Sequence, residues 1–548
     1  MTWQYETGVG TDRATTYQDM LVKIVAFATS QKVATVAVNA AGTGWTTGDI
    51  ATLTHAGAYL DAKFEVTASA GAITALRIVA NGAFGNRLAS AAVSAGGTNY
   101  AVGNVLEVQG GSAREKGKVT VATISGSAVL TVTLFETGGA YSSTPANPAA
   151  TTKIGPNAGT GSGCTLTVTY TGLVGVSALA VTGAGSSATV NITLAETGWS
   201  VDNRNTNSTS TNGITNEKEV VLKGDAAGRT NKPYIGFVTF TKTSGVNIRY
   251  IIGIHPMIAH NQATALSVQP GILGTVGTWG DDDTPYILCD ENQLQQMDFW
   301  LSVNDRRICG VLDINSGAAT SDDRQFMQFY AGFLNSFATE VEDPYSMFAF
   351  GARAANIDPS ASTFSITGLN ECIAPTGLNT GIFFYRTEDS TWQYVYNSRN
   401  LASSEQVNII APMGNIKEPT FGITSSISSP ADVVAFDGPI VIHTGIGSLA
   451  RASATRRLFP IPGTTPKHYP FPLTLVSRNT TNNVSLTLDF LRGNLDGCYM
   501  IYNTDSAGTT IANFALDYIT VGADRYRVFH NHVQRELYQY ICIKEDGA

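Results

Sequence analysis

Histidine and aspartate side chains are the residues whose spacing comes closest to a metal site. His530 and His532 are two positions apart and could share one face of a strand, a geometry that metal ions use. His255 and His260 are five apart, which matches neither one helical face nor one strand face with a third ligand nearby. The sequence names no third ligand for either pair, so we expect no bound metal, and His530 and His532 are expected to be strand histidines that face solvent.

Two further segments resemble ligand-binding loops but lack part of the pattern. GDDDTP, at 280–285, could offer Asp281, Asp282 and Asp283 to calcium, yet the oxygen spacing of a calcium loop is absent. The glycine-rich GPNAGTGSG, at 155–163, has no Lys-Ser/Thr pair and no following helix, which a phosphate-binding loop needs. We therefore expect a solvated turn and an inter-strand linker, and no cofactor.

The sequence also lacks a recognisable catalytic constellation. It has no Gly-x-Ser-x-Gly nucleophile elbow and no carboxylate pair whose setting supports a glycosidase. A β-scaffold can draw carboxylates from distant strands, so a polysaccharide depolymerase stays open as an alternative. The expectation is a protein that is not an enzyme, with no catalytic, cofactor-binding or metal-binding residues.

The composition is that of a folded chain with a neutral, polar surface. Charged residues make up 14% of the 548 residues, against about 25% in typical proteins. The net charge is −9 and no run of Lys or Arg could cover a phosphate backbone, so nucleic acid is not an expected partner. No long apolar stretch predicts membrane insertion, and the N-terminal segment lacks the pattern of a signal peptide.

The six cysteines are scattered through the chain, and none belongs to a Cys-x-x-Cys pair. This spacing argues against a zinc ribbon and against a disulfide framework. We expect reduced, mostly buried thiols that act as small hydrophobic side chains. They are Cys164, Cys289, Cys309, Cys372, Cys498 and Cys542.

One helix is predicted near the N-terminus, over residues 15–31. Thr16 is a suitable N-cap, and Leu21, Ile24 and Ala28 recur at helical spacing to form an apolar stripe. Two roles fit this stripe. It could pack on its own domain, or it could dock the chain onto a neighbouring subunit.

A repeated unit of roughly 55 residues fills the next part of the chain. GTGWTTGDI, from Gly42, is matched by GTNYAVGNV, from Gly97. A third, partial copy is predicted from GCTLTVTYTG, which begins at Gly163, and ITLAETGW, which begins at Ile192. Each copy predicts alternating strands around a glycine turn. Duplicated modules of this kind favour a spacer or a binding surface over catalysis, which needs one asymmetric constellation.

Trp45, Tyr100 and Trp199 occupy the corners of these modules. An exposed aromatic ring can stack on the face of a sugar, so the three side chains are candidate glycan-stacking residues. The alternative is a buried ring that anchors the corner of each module.

The predicted fold class is mostly β: a short N-terminal helix, tandem small antiparallel β-modules, then a β-sandwich-like body. A polar stretch without periodicity separates the modules from the body. The predicted segments are an N-terminal helical arm at 1–32, tandem β-repeat modules at 33–201, a linker at 202–216, a β-sandwich-like body at 217–430 and a C-terminal β-domain at 431–548.

Four blocks of the second half, in this order, resemble a module of virion structural proteins in tailed bacteriophages. They are LKG at 222–224, NDRR at 304–307, DPYSM at 343–347 and LDG at 495–497. The Trp near the start and the short helix are similar to the opening of the same proteins. The β-repeats resemble the glycine-rich insertions of phage tail, baseplate and fibre proteins.

The resemblance implies a non-enzymatic structural component of a tailed phage virion, in the tail or baseplate region, in contact with other virion proteins. It would be synthesised in the host cytoplasm. A receptor-binding carbohydrate adhesin of the tail-fibre or spike kind, which binds a host surface glycan, and a capsid decoration protein are the alternatives. Many strands with little surface charge suit a homo-oligomer, a trimer or a ring.

The polar linker predicts a site of early proteolysis. Brief digestion of the full-length protein should cut first near Asn205–Asn212 and leave two resistant pieces, since exposed polar segments open easily. Gel electrophoresis with N-terminal sequencing of the fragments checks this. First cleavage inside residues 33–201 would contradict the predicted boundary.

Overall fold

The computed structural model is mostly β, with one helix among the residues it describes, which confirms the predicted fold class. The described residues are 4–8, 13–55, 57–136, 138, 141, 143–154, 160–171, 178–205, 216–244, 247–262, 264, 266, 269–273, 285–289, 297–313, 326–351, 382–386, 390–394, 405–410, 471–479, 488–502, 518–522, 524–530 and 539–545.

The chain divides into two compact units, which are described separately. The module unit is chiefly Val22–Asn205, and the body unit is chiefly Thr206–Gly547 together with Thr7–Leu21. The division at residue 205 falls inside the stretch predicted as a linker.

The helix forms where the sequence predicts it. A short strand, β1 (Gln4–Gly8), precedes the helix α1 (Tyr17–Thr29). The Thr16 hydroxyl accepts a hydrogen bond from the Asp19 N–H at 3.0 Å, and the Asp19 carboxylate accepts one from the Thr15 N–H at 2.8 Å. This reciprocal pair satisfies amide groups that the first turn leaves open, and the carboxylate lies at the positive end of the helix dipole.

The module unit consists of short antiparallel strands whose inward side chains alternate with polar ones. In β13, for example, Cys164, Leu166 and Val168 are buried and the residues between them are not. The strands are β2 (Gln31–Thr43), β3 (Ile50–Leu53), β4 (Ala58–Leu60), β5 (Ala62–Ser69), β6 (Ala72–Ala80), β7 (Ala83–Phe84), β8 (Leu88–Thr98), β9 (Val105–Val108), β10 (Lys118–Ser125), β11 (Ala128–Glu136), β12 (Ala149–Ile154), β13 (Ser162–Tyr170), β14 (Leu179–Ala180), β15 (Ser186–Glu196) and β16 (Trp199–Asn205).

The strand pairing shows that one module is inserted into the other. Strand β15 pairs with β2, from Ser186 opposite Thr43 to Glu196 opposite Gln31. Between these two strands lies a second set in which β13 pairs with β8 in the same antiparallel sense. We call β2–β7 with β14 and β15 the outer module, and β8–β13 the inner module. The sheet orders are β14-β15-β2-β7-β4 and β3-β5-β6 in the outer module, and β11-β10-β9-β12-β13-β8 in the inner one.

This connectivity replaces the expected row of successive copies. The segments interpreted as a third, partial copy are β13 and β15, and they close two different modules. The sequence comparison missed this because the opening strands and the closing strands of the two modules repeat at different intervals. The modules are therefore nested along the chain and not tandem.

The predicted correspondence between the two modules is confirmed by strand register. Phe64 lies opposite Ile78 in the outer module, and Val119 lies opposite Leu134 in the inner one. Each module has its own hydrophobic core, in which matching positions are buried. The matched pairs, outer residue first, are Val33 and Leu88, Trp45 and Tyr100, Ala51 and Leu106, Leu53 and Val108, Phe64 and Val119, and Val66 and Val121.

The described strands of the body unit form three antiparallel sheets. Their orders are β17-β18-β19-β20, then β21-β22-β23-β25-β26-β27, then β28-β29-β30-β33-β32-β31 with β24 beside β30. The strands are β17 (Asn216–Gly224), β18 (Tyr234–Ser244), β19 (Asn247–Met257), β20 (Tyr286–Cys289), β21 (Asp298–Val303), β22 (Arg307–Asp313), β23 (Phe326–Phe333), β24 (Asn335–Ser336), β25 (Met347–Phe350), β26 (Ile382–Arg386), β27 (Thr391–Tyr394), β28 (Glu405–Ile410), β29 (Phe471–Asn479), β30 (Leu488–Tyr502), β31 (Tyr518–Val521), β32 (Asp524–His530) and β33 (Gln539–Glu545).

The last two of these sheets pack on each other and cross the expected domain boundary. The Trp300 ring of β21 meets the Phe529 ring of β32 edge to face, with centroids 5.0 Å apart. Strand β28, which precedes residue 430, pairs with β29, which follows it. The segments expected as separate domains at 217–430 and 431–548 therefore share one sheet.

Glycine at position 97 allows β8 and β13 to approach closely, and this generates a prediction. Gly97 has φ +62°, and a Cβ atom there would overlap the Ser162 carbonyl oxygen. Gly103 has φ +84° but open space around it. Gly103→Ala should cost about 1 to 2 kcal/mol through backbone strain alone. Gly97→Ala adds a clash with rigid backbone and should cost at least about 3 kcal/mol.

Urea unfolding of the full-length variants, followed by circular dichroism, measures this difference. Equal losses of stability in Gly97→Ala and Gly103→Ala would show that the close approach of β8 and β13 does not constrain the inner module.

Candidate functional site

Of the histidines weighed as metal ligands, His255 and His260 lie in the described part of the chain. His255 is fully buried on β19, and burial lowers its pKa to about 3, so the imidazole is neutral. The ring of His260 lies 6.1 Å from the Tyr234 ring, between centroids. No group of three or more His, Cys, Asp or Glu side chains among the described residues is arranged to hold a metal ion. The His530 side chain, His532, Asp281–Asp283 and 155–159 lie outside the described residues.

The three candidate glycan-stacking rings are buried within the chain. Trp45 is 1% exposed, Tyr100 4% and Trp199 0%. A ring without exposed surface cannot stack on a sugar from solvent, so their burial supports the role of corner anchors. Glycines of the closing strands face two of the rings. A Cβ atom at Gly185 would overlap the Trp45 ring, and one at Gly161 would overlap the Tyr100 ring.

The two corners repeat the same backbone hydrogen bonds. The Trp45 N–H donates to the Gly71 carbonyl at 3.0 Å, and the Tyr100 N–H donates to the Ser127 carbonyl at 2.9 Å. Further bonds connect Gly48 with Val66 and Gly103 with Val121, each at 2.9 Å. The duplicated sequence therefore specifies a duplicated three-dimensional corner.

A side-chain oxygen closes each corner in the same way. The Asp49 carboxylate accepts a hydrogen bond from the Thr46 N–H at 2.8 Å, and the Asn104 carbonyl accepts one from the Ala101 N–H at 3.0 Å. An acceptor three residues after the amide is the shared requirement, which Asp and Asn both meet. This explains why the repeat changes Asp to Asn without changing the fold.

The apolar stripe of the helix is also buried within the chain. Leu21 is 2% exposed, while Ile24 and Ala28 are fully buried. The Thr197 hydroxyl donates a hydrogen bond to the Ala28 carbonyl. These observations support packing on the chain's own residues, and the three side chains offer no surface for docking to a neighbouring subunit.

The second candidate site is a polar network in the body unit, which we call the motif cluster. It comprises the loop 225–232, the turn 304–307, the loop 339–344 and Asp496. Loop 225–232 directly follows LKG, and the turn is the NDRR block itself. Loop 339–344 includes the first two residues of DPYSM, and Asp496 is the middle residue of LDG. The blocks are recognisable by their order along the chain, but that order does not predict that they lie close together in the fold.

Loop 225–232 of the motif cluster is held by charged side chains that bind backbone groups. The Arg229 guanidinium donates to the Asp343 carbonyl at 3.0 Å and to the Pro344 carbonyl at 3.1 Å. The Glu340 carboxylate accepts from the Asn231 N–H at 2.8 Å, and that hydrogen bond is the main cause of a lowered Glu340 pKa. The Lys232 ammonium donates to backbone carbonyls of its own loop, including that of Arg229 at 2.6 Å.

The turn of the motif cluster is the hairpin turn between β21 and β22, which contains Asn304 and Asp305. The Asn304 side-chain oxygen accepts from the Arg306 N–H at 2.9 Å and the Arg307 N–H at 3.1 Å, which fixes the reversal between β21 and β22. The Asp305 carbonyl accepts from the Ala226 N–H at 2.9 Å, so the turn holds the loop 225–232.

Arg307 is the buried centre of the motif cluster. It is fully buried, and its Nε lies 3.6 Å from an Asp496 carboxylate oxygen. Burial alone would lower the Arg307 pKa, but nearby Cys309 and Asp496 outweigh burial and raise it. Asp496 also accepts a hydrogen bond from the Asn304 amide, so one carboxylate joins the LDG and NDRR blocks.

These contacts fix loops against each other, and they join charges to backbone groups within the cluster.

No protein-family model matches the chain, and no curated protein matches it either. Within the described part of the chain, no helix is long and apolar enough to cross a bilayer.

The Arg307–Asp496 pair generates a stability prediction. Asp496→Ala should destabilise the body unit by about 3 to 5 kcal/mol, because it leaves a buried guanidinium without its carboxylate. Asp305→Ala removes a carboxylate from the partly exposed part of the same turn and should cost less than about 1.5 kcal/mol. Urea unfolding of both variants measures the difference. Equal losses in the free energy of unfolding would show that the Arg307–Asp496 pair stabilises the body unit no more than the Asp305 carboxylate does.

Proposed function

We propose that this protein is a non-enzymatic structural component of a tailed phage virion, located in the tail or baseplate region. It acts through contacts between subunits, with itself in a homo-oligomer and with other virion proteins. Neighbouring subunits contact the body unit and strand β11 of the inner module, and the rest of the nested modules serves as a spacer. Its expected location is the virion, after synthesis in the host cytoplasm.

The observation that carries the proposal is the motif cluster. The blocks that resemble phage virion proteins are separated by long stretches of sequence, yet NDRR, DPYSM, LDG and the loop that directly follows LKG contribute to one network in the body unit. A chance resemblance of short blocks would not require their residues to contact each other. The network keeps loops in one conformation, which suits a surface that must match the same neighbour in every particle.

The inner module adds support for assembly with other subunits. Strand β11 lies at the end of its sheet and exposes three large apolar side chains. They are Leu130 at 59%, Leu134 at 41% and Phe135 at 37% exposure. Strand β8 of the same module lies beside β11, so it is the exposed apolar side chains, and not an open strand edge, that favour association. A neighbouring subunit in a trimer or ring would cover these side chains.

Electron microscopy of intact particles tests the proposal. Antibodies raised against the recombinant protein should label purified particles of the phage that encodes it. The label should lie at one region of the tail or baseplate, at positions related by symmetry. Labelling of the capsid surface would instead favour a decoration protein, and absence of the protein from purified virions would refute the proposal.

A parallel assay addresses the enzymatic and adhesin alternatives. Pure protein incubated with host polysaccharide and peptidoglycan should release no fragments. Release of fragments that stops when one carboxylate is mutated would establish a depolymerase. Saturable binding to whole cells or to surface polysaccharide would establish an adhesin.

A further inference from the structure

Two cysteines of the body unit meet between different sheets. Cys309 lies on β22 and is fully buried, while Cys498 lies on β30 and is 3% exposed. Strands β22 and β30 belong to two sheets that pack against each other. All five described cysteines are buried, as the sequence predicts, but this pair has a geometry that the scattered spacing could not indicate.

Two side-chain pairs connect strand β22 with strand β30. Arg307 and Asp496 form one pair, with 3.6 Å between nitrogen and oxygen. Cys309 and Cys498, each two residues further along its strand, form the other through a hydrogen bond between their side chains. On β22, Arg307 and Cys309 point to the same face because they are two residues apart. On β30, Gly497 has φ +87° and lies between Asp496 and Cys498, so that strand is irregular where the two thiols meet.

The surroundings shift the pKa values of the two thiols in opposite directions. Burial acts to raise the pKa of Cys309, but the hydrogen bond from Cys498 and the positive charge of Arg307 outweigh it and lower that pKa. The same hydrogen bond, together with burial, raises the pKa of Cys498. Cys309 is therefore the thiol that ionises first, and a thiolate is the form that attacks a disulfide.

We propose that Cys309 and Cys498 form a reversible disulfide that links the two sheets, with a small organic disulfide such as oxidised glutathione as the oxidant. The Cys309 thiolate attacks one sulfur of the oxidant, and a glutathione thiolate leaves with the electron pair of the broken bond. Cys498, deprotonated in turn, attacks the Cys309 sulfur and releases the second glutathione. Two protein thiols are oxidised, and one glutathione disulfide is reduced to two thiols.

Burial sets the rate and the selectivity of this reaction. The oxidant reaches Cys309 only when the protein opens locally, so we expect cross-linking over minutes to hours. Cys542, on β33 of the same sheet as Cys498, is fully buried, and burial raises its pKa well above the usual value. It should remain a thiol under the same conditions and serves as the matched control.

The test uses full-length protein incubated with oxidised glutathione, quenched with N-ethylmaleimide under denaturing conditions and digested with trypsin. Mass spectrometry should find the peptide 308–324, which carries Cys309, joined to the peptide 493–525, which carries Cys498. The joined mass should be lower by two hydrogen atoms than the sum of the free peptides, and dithiothreitol should separate them. The oxidised protein should also unfold at a higher temperature, by on the order of 5 °C.

Variants distinguish this cross-link from others. Cys309→Ser and Cys498→Ser should each abolish the joined peptides and the rise in Tm, while Cys542→Ser should retain both. Wild-type protein in which both thiols react fully with N-ethylmaleimide after the incubation would overturn the proposal. So would a stable glutathione adduct on Cys309 without cross-linking. The wild-type result needs no variant to fold, and it does not depend on the proposed function.

Discussion

The pairing of β2 with β15 is the constraint on which the module unit depends. These strands are far apart in the sequence, and closing so long a loop is entropically unfavourable unless the intervening chain is already compact. The inner module meets this requirement because its first strand pairs with its last, with Leu88 opposite Tyr170. An insertion whose ends lie side by side can be placed between two strands without distorting either.

Each module repeats one solution for turning a corner around a large ring. Trp45 and Tyr100 are buried because glycines on the closing strands leave room for them. The rings contribute apolar burial, and the backbone bonds and the Asp49 or Asn104 oxygen satisfy the turn that covers them. The body unit relies on a different interaction, a fully buried arginine whose carboxylate partner lies on another sheet.

Several elements were predictable because their signals are local. The helix over Tyr17–Thr29 follows from a capping residue and an apolar period, and the turn at Asn304 follows from residues that hydrogen-bond their own backbone. The match of Phe64 with Val119 was predictable because it concerns corresponding positions in a repeat. The burial of Trp45 was not decided by sequence, since an aromatic residue in a glycine-rich corner fits both an exposed and a buried ring.

The sequence by itself determined the mostly-β class, the duplicated corner and the helix, because each depends on residues within a few positions of one another. Only the tertiary structure decided which closing strand belongs to which module, since register is set by pairing between distant segments. It also decided that 217–430 and 431–548 share a sheet, and that segments in or next to four separate blocks form one network that includes Arg307. Contacts between residues far apart in the chain leave no periodic signal in a single sequence, and only the folded backbone brings such residues together.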